Sequence, residues 1–305
     1  HAAAGGRAGG RGKRAKPSSP MSKEQPIKEI LAQNGFKFTK SLGQNFLYDK
    51  KILEKIIDDA QLEKDDRVLE IGPGAGTLTR LMASKCASVL SIEIDRALMP
   101  VLEQTLNGYE NVSVIFEDFM KLDIEQLYSQ KLCPGFKVVA NIPYYITTPI
   151  LMRLLESGLP YKSITVLVQR QVAQRMAALP GTPQYGALSC AVQYYTVPSL
   201  KSRLGPGSFY PPPKVESQVI TLLRREAPPV ETKDESLLFK VIACAFAMRR
   251  KTFLNNLICS FGLTRAQAEE LIQTLGLPPD VRGERLSLQE MAKAADYIYT
   301  LAKGG

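Results

Sequence analysis

The sequence predicts an α/β protein: a doubly wound, largely parallel sheet followed by a small helical domain. Three observations predict it. Short apolar runs alternate with helix-period segments between residues 67 and 168, the pattern of parallel strands joined by crossover helices. The first of those runs leads straight into Gly72-Pro73-Gly74-Ala75-Gly76. Beyond Ala227-Pro228-Pro229 the periodicity is helical only.

Each element follows in order. A short helix starts at Ile27, and a second covers residues 50–60, with Ser41-Leu42-Gly43-Gln44-Asn45-Phe46-Leu47 in the loop between them. Strands are predicted at 67–71, 88–94, 112–116, 137–140 and 164–168. Helices are predicted at 77–85, 97–106, 149–156, 171–178 and 187–195. Residues 200–203 and 218–223 read as two late strands, flanking a loop that holds Gly205-Pro206-Gly207 and Pro211-Pro212-Pro213. The last four helices are predicted near 234–247, 251–260, 264–274 and 287–302, punctuated by Gly262, Gly276 and Pro278-Pro279. The expected division is a basic disordered tail or added leader at 1–20, an α/β domain at 21–226 and a helical domain at 227–305.

Composition narrows the function classes. In a chain of 305 residues, hydrophobic residues make up 45% and charged residues 23%, ordinary globular usage that excludes a fibrous or wholly disordered chain. No run of 18 apolar residues exists, so no membrane span is expected. The single histidine is His1, which removes a Ser-His-Asp triad or a His-ligated metal from the body of the protein. The five cysteines contain no CxxC. They read as small core residues in a reducing, cytoplasmic protein without a metal. The net charge of +9 is uneven: residues 1–20 hold five cations and no acid, while 201–226 hold five cations and two acids. A nucleic-acid partner is compatible with that local surplus.

The glycine loop and two acids point to a cofactor. Glycines after a strand let the backbone turn tightly and approach a ligand. The loop departs from the dinucleotide pattern GxGxxG, because Thr77 stands where its third glycine belongs. Pro73 also removes a backbone donor that a pyrophosphate would use. Glu93 ends the second strand, where a carboxylate can accept from ribose hydroxyls, and Asp118 follows the third, where it can accept from an adenine amine. An adenosine without phosphate, held beside a reactive group, describes S-adenosylmethionine.

The fourth strand ends in Asn141-Ile142-Pro143-Tyr144. An exocyclic adenine amine is a poor nucleophile, because its lone pair is delocalised into the ring. The Asn141 side-chain carbonyl and the Ile142 backbone carbonyl can accept from its N–H bonds and so favour a localised lone pair. Tyr144 can stack on the base. Such a reaction needs placement and electrostatics, and no histidine. Phe209, in the Pro/Gly-rich loop, can cover the other face of an extruded base.

Taken in order, Ser41-Leu42-Gly43-Gln44-Asn45-Phe46-Leu47, Glu70-Ile71-Gly72-Pro73-Gly74-Ala75-Gly76, Asn141-Ile142-Pro143-Tyr144, Phe209-Tyr210-Pro211-Pro212-Pro213-Lys214-Val215 and Arg249-Arg250-Lys251-Thr252 with Asn255-Asn256 resemble the small-subunit ribosomal RNA adenine dimethyltransferase family. The resemblance covers nearly everything from Ile27 onward. It implies a Rossmann-like methyltransferase sheet, S-adenosylmethionine as donor, and two adjacent adenosines near the 3′ end of small-subunit rRNA as acceptors, each dimethylated at N6. It implies that Asn45 and Leu47 line the cofactor cleft, Gly72 lies against the methionine part, Glu93 holds the ribose and Asp118 the adenine. Asn141, which also borders the cofactor, and Tyr144 handle the target, with Phe209 as second stacking partner. Arg224, Arg225, Arg249, Arg250 and Lys251 are the candidate RNA contacts. The expected partner is the small ribosomal subunit, engaged by a monomer, with a role in subunit assembly beside catalysis. The rivals are the related family that methylates large-subunit rRNA and a non-catalytic assembly factor.

Overall fold

A computed structural model describes residues 26–304; the expectation of a disordered tail at 1–20 lies outside them. The helices are α1 (Ile27–Gln33), α2 (Lys50–Asp59), α3 (Thr77–Ala83), α4 (Met99–Thr105), α5 (Ile124–Lys131), α6 (Thr147–Glu156), α7 (Arg170–Met176), α8 (Ala187–Tyr195), α9 (Glu235–Ala245), α10 (Phe253–Phe261), α11 (Arg265–Thr274) and α12 (Leu288–Lys303). The strands are β1 (Phe46–Leu47), β2 (Arg67–Ile71), β3 (Ser88–Glu93), β4 (Val112–Phe116), β5 (Lys137–Asn141), β6 (Ser163–Gln169), β7 (Thr196–Leu204), β8 (Phe209–Tyr210) and β9 (Ser217–Arg224).

Seven strands form one sheet in the order β4-β3-β2-β5-β6-β9-β7. The first five are parallel, as the alternation predicts. The two late strands join antiparallel, β9 against β6 and β7 against β9, so the sheet is mixed. Chain order reverses between β2 and β5, both of which pair across that line. In open α/β sheets such a switch point opens a crevice at the carboxyl ends of the strands.

Neighbouring strand residues enter different cores. Leu69, Val138 and Val166 pack on one face with Leu151 and Leu154 of α6. Val68, Val139 and Leu167 pack on the other with Ile56 of α2 and Leu78 and Met82 of α3. Both faces are therefore covered, which explains why β5 and β6 read as continuous apolar runs. The expected 77–85 helix stops at Ala83, and the expected 251–260 helix starts at Phe253 because the Thr252 side chain caps it, accepting from Asn255 N–H. Helix α5 was not foreseen, although Asp123 caps it by accepting from Gln126 N–H. Nor was the two-stranded ribbon in which β1 pairs antiparallel with β8, Leu47 opposite Phe209.

A third core gathers α9 to α12. Tyr185, Cys190 and Tyr194 belong to it although they precede residue 227, and the Tyr185 hydroxyl donates to the Leu286 carbonyl at 2.7 Å. The helical region thus extends its core into the α7–α8 segment. Among the described residues no helix is long and apolar enough to cross a membrane. Cys86, Cys190 and Cys244 are buried, whereas Cys133 is half-buried and Cys259 exposed.

Candidate active site

A cleft opens at the switch point, above the carboxyl ends of β2, β3 and β5. Gly72, with φ +75°, and Gly74, with φ +57°, turn the chain out of β2. A side chain at Gly74 would meet the Phe46 ring at 2.8 Å, so the close approach of β1 to this loop requires glycine. Thr77, at the start of α3, donates to the Leu47 carbonyl at 2.7 Å. Asn141, the last residue of β5, donates through its amide nitrogen to the Asn45 carbonyl at 3.2 Å. The 45–47 segment is thereby stitched to both sides of the switch point. Gln44 donates to Asp95 at 2.6 Å and holds the preceding loop over the end of β3.

Two carboxyls sit deep in this cleft. Glu93 is 5% exposed and accepts from the backbone N–H groups of Gly74 at 3.1 Å and Asp95 at 3.0 Å. Burial nevertheless pushes its carboxyl up to about 7, with the Asp95 charge adding to the effect. Glu70, 1% exposed, accepts from the hydroxyls of Thr79 at 2.6 Å and Ser91 at 2.7 Å. Burial outweighs those two donors and pushes it up to about 7 as well, aided by the charge of Glu93. Asp118 lies at the mouth and accepts from Met120 N–H at 2.9 Å.

On the opposite wall Tyr144 is half-buried, and its hydroxyl meets that of buried Ser217 on β9. Phe209 lines the cleft but is only 3% exposed, sharing a buried cluster with Leu47, Leu204 and Val219. Asn45, Leu47, Gly72, Glu93, Asp118, Asn141, Tyr144 and Phe209 all line this one cleft.

The five candidate cations do not. Arg224 is exposed, its guanidinium 5.6 Å from the centre of the Tyr161 ring. Arg225 donates from Nε to the carbonyls of Gln193 at 2.8 Å and Thr196 at 3.2 Å, which ties it to the end of α8. Arg249, Arg250 and Lys251 are exposed on the turn between α9 and α10. That turn is braced from beneath. The buried Asn256 amide donates to the Ala245 and Met248 carbonyls, and Gly283 lies so close that a Cβ there would fall 1.8 Å from the Ala245 carbonyl oxygen.

Sequence reasoning missed several lining residues, Glu70, Glu117 and Tyr145 among them. Glu70 carries a signal that could have found it, a carboxylate inside an otherwise apolar strand. Tyr145, 54% exposed at the cleft mouth, carries none.

The lining has a distinct electrostatic character. It includes Glu70, Glu93, Glu117 and Asp118, and no lysine or arginine. A phosphate group would find no cation there, and a ligand bearing positive charge would find several carboxylates.

Comparison with known proteins agrees with this geometry. The family model for ribosomal RNA adenine dimethylase matches residues 35–299. The chain is 48% identical to ribosomal RNA small subunit methyltransferase A of Lachnoclostridium phytofermentans, over 88% of this chain and 94% of that one. It is 46% identical to the protein of the same name from Streptococcus pneumoniae, over 89% and 95% of the two chains. Among solved structures, a dimethyladenosine transferase from Plasmodium falciparum shares the fold, with a TM-score of 0.65 at 23% identity over 82% of this chain and 95% of that one. The 23S rRNA methyltransferase ErmE superposes with a TM-score of 0.64 at 26% identity, over 84% of this chain and all of that one. The match runs through both the sheet and the helical region, and the chain belongs to the ribosomal RNA adenine dimethylase family.

Proposed function

We propose that the chain dimethylates N6 of two adjacent adenosines in the 3′-terminal hairpin loop of small-subunit rRNA, with S-adenosylmethionine as donor. The observation that carries the donor is the acid-lined, cation-free cleft at the switch point. It suits a sulfonium and an ammonium and disfavours a nucleotide phosphate. The residues present fit the group: Gly72 and Gly74 allow backbone approach, Glu93 presents a carboxylate to the ribose, and Asp118 retains an oxygen for the adenine amine. Asn45 and Leu47 close the near side.

When bound, the sulfonium supplies a methyl group that is already activated. The rest is placement. The Asn141 amide nitrogen is committed to Asn45, which directs its carbonyl oxygen toward the target amine as an acceptor. The Ile142 carbonyl is the second acceptor. Together they localise the nitrogen lone pair and align it with the methyl carbon. Tyr144, fixed by Ser217, stacks on the base, and Phe209 backs the other face from its buried seat. Dimethylation requires the pocket to readmit an amine that already carries one methyl, so each adenosine takes two transfers. Arg224, Arg225, Arg249, Arg250 and Lys251 lie outside the cleft and serve the RNA surface, with the 227–305 segment as the docking domain. The enzyme acts as a monomer. An rRNA substrate in assembling small subunits implies action in the cytoplasm.

The test is methyl transfer from labelled S-adenosylmethionine to small subunits lacking the 3′-end modification, with large subunits in parallel and nucleoside mass spectrometry of the product. Four methyls per small subunit, all as N6,N6-dimethyladenosine, are expected. Label confined to large-subunit RNA would overturn the substrate, and binding without transfer would overturn the enzymatic reading.

A further inference from the structure

The acid-lined cleft that suits the donor creates a difficulty for the acceptor. An RNA strand delivering an adenine into it brings phosphates toward an acid-lined, cation-free pocket, so the strand backbone gains from cations placed beside the cleft. The five cations suggested by the sequence do not line the cleft. Two other arginines lie at the carboxyl edge of the sheet, where β6 and β7 end and the cleft opens between their neighbours.

Arg170 follows β6 directly and opens α7, Arg203 lies near the end of β7, and Glu216 immediately precedes β9. Arg170 Nη1 stands 2.8 Å from Glu216 Oε2, and Arg203 Nη2 stands 3.4 Å from that same oxygen. The Arg170 backbone N–H donates to the Glu216 carbonyl at 3.0 Å. All three side chains are solvent-accessible, at 36%, 54% and 48%. Arg170 Nε, in contrast, is buried and lacks any hydrogen-bond partner. The residue after Glu216 is Ser217, whose hydroxyl holds Tyr144 at the wall of the cleft. The carboxylate that the two guanidiniums share therefore belongs to the residue immediately before the support of the target-stacking tyrosine.

We propose that Arg170 and Arg203 form a phosphodiester clasp that seats the RNA backbone beside the target adenosine, with the Glu216 carboxylate as its resting occupant. The inference rests on the rRNA-methyltransferase reading and adds to it a binding site for the strand. Two guanidiniums converging on one oxygen leave most of their donors unused. A phosphodiester presents two non-bridging oxygens, which two guanidinium forks can engage together. An exposed ion pair contributes little net stability, so Glu216 gives way at small cost. Glu216 is also outnumbered: residues 201–226 hold five cations against two acids.

The experiment measures binding of small subunits lacking the 3′-end modification across a salt series, together with calorimetric titration of S-adenosylmethionine. Arg203→Gln is expected to weaken RNA binding several-fold and to lower the slope of log affinity against log salt by about 1, with cofactor affinity unchanged. Glu216→Gln is expected to act in the opposite direction, tightening RNA binding by freeing both guanidiniums. A merely structural ion pair predicts weaker or unchanged binding in both variants with an unchanged slope, and that result overturns the clasp. If the wild-type protein neither binds nor methylates these subunits, the proposed function falls and the clasp with it. If it methylates them and both variants bind as it does, the clasp alone falls.

Discussion

Glu70→Gln isolates the energetic consequence of placing an unpaired carboxyl beneath the glycine loop. Burial lifts the Glu70 carboxyl from 4.5 to about 7. At about 1.36 kcal/mol for each tenfold change in proton affinity, this corresponds to about 3 kcal/mol. The sign follows from which state holds the proton. Between pH 4.5 and 7 the folded chain keeps Glu70 protonated while the unfolded chain has released its proton. Folding stability attributable to Glu70 therefore falls as pH rises through that window and stays low above it. A glutamine does not ionise, so the variant escapes the loss. It gives up charge-assisted hydrogen bonds from Thr79 and Ser91, worth roughly 1–2 kcal/mol. The expected outcome is a variant about 1–2 kcal/mol more stable than wild type at pH 8 and nearly equal to it at pH 5. Urea unfolding of the cofactor-free protein at several pH values measures this directly. A variant destabilised by the same amount at every pH would refute the reasoning, since it would mean that Glu70 is ionised in the folded chain throughout.

Three further outcomes are expected. Glu93 in the free cleft also sits at about 7, and a ribose needs it ionised, so cofactor affinity should fall up to tenfold per unit as pH drops below 7. Calorimetry should show that slope in wild type, and weaker, pH-insensitive binding in Glu93→Gln. Asn141→Ala should lose about 10²–10³-fold in turnover, as for a lost transition-state acceptor, while cofactor affinity largely survives; normal methylation by that variant would remove Asn141 from the mechanism. Gly283→Ala must displace the Ala245 carbonyl, which a Cβ would approach to 1.8 Å. A loss of about 1–3 kcal/mol is expected, seen as a lower Tm, with weaker RNA binding through the displaced Arg249–Lys251 turn and intact cofactor binding.

The parallel part of the sheet was legible because its strands are short apolar runs; four of the five, β2 to β5, lead into glycine, acid or asparagine, and those endings are residues that reach the cleft. The direction of the late strands was not legible. Alternation reports a strand and its faces, but β7 and β9 pair through a bulge between Leu200 and Arg203 that carries no sequence mark. The β1–β8 ribbon escaped notice because two residues are too few to show a period of two. Its consequence is that Phe209 is packed deep behind Leu47 and is not free at the tip of a loop. Glu70 was read as part of a motif. Only its burial, and the hydroxyls of Thr79 and Ser91 that come from two other elements, disclose an ionisable group without a countercharge in its immediate shell. Likewise Arg170, Arg203 and Glu216 are scattered in the chain and converge only when β6, β7 and β9 assemble.

The ribbon also sets a schedule. One of its strands is made early and the other only after most of the sheet, so Phe46 and Leu47 leave the ribosome roughly ten to thirty seconds before Phe209 and Tyr210 at ordinary elongation rates. During that interval the glycine loop and the strand ends can form, but the wall that carries Phe209 does not yet exist. A nascent chain that stops short of residue 209 therefore has the acids of the donor side and no closed chamber around them. Vectorial synthesis thus leaves the chamber open until about two thirds of the chain has been made.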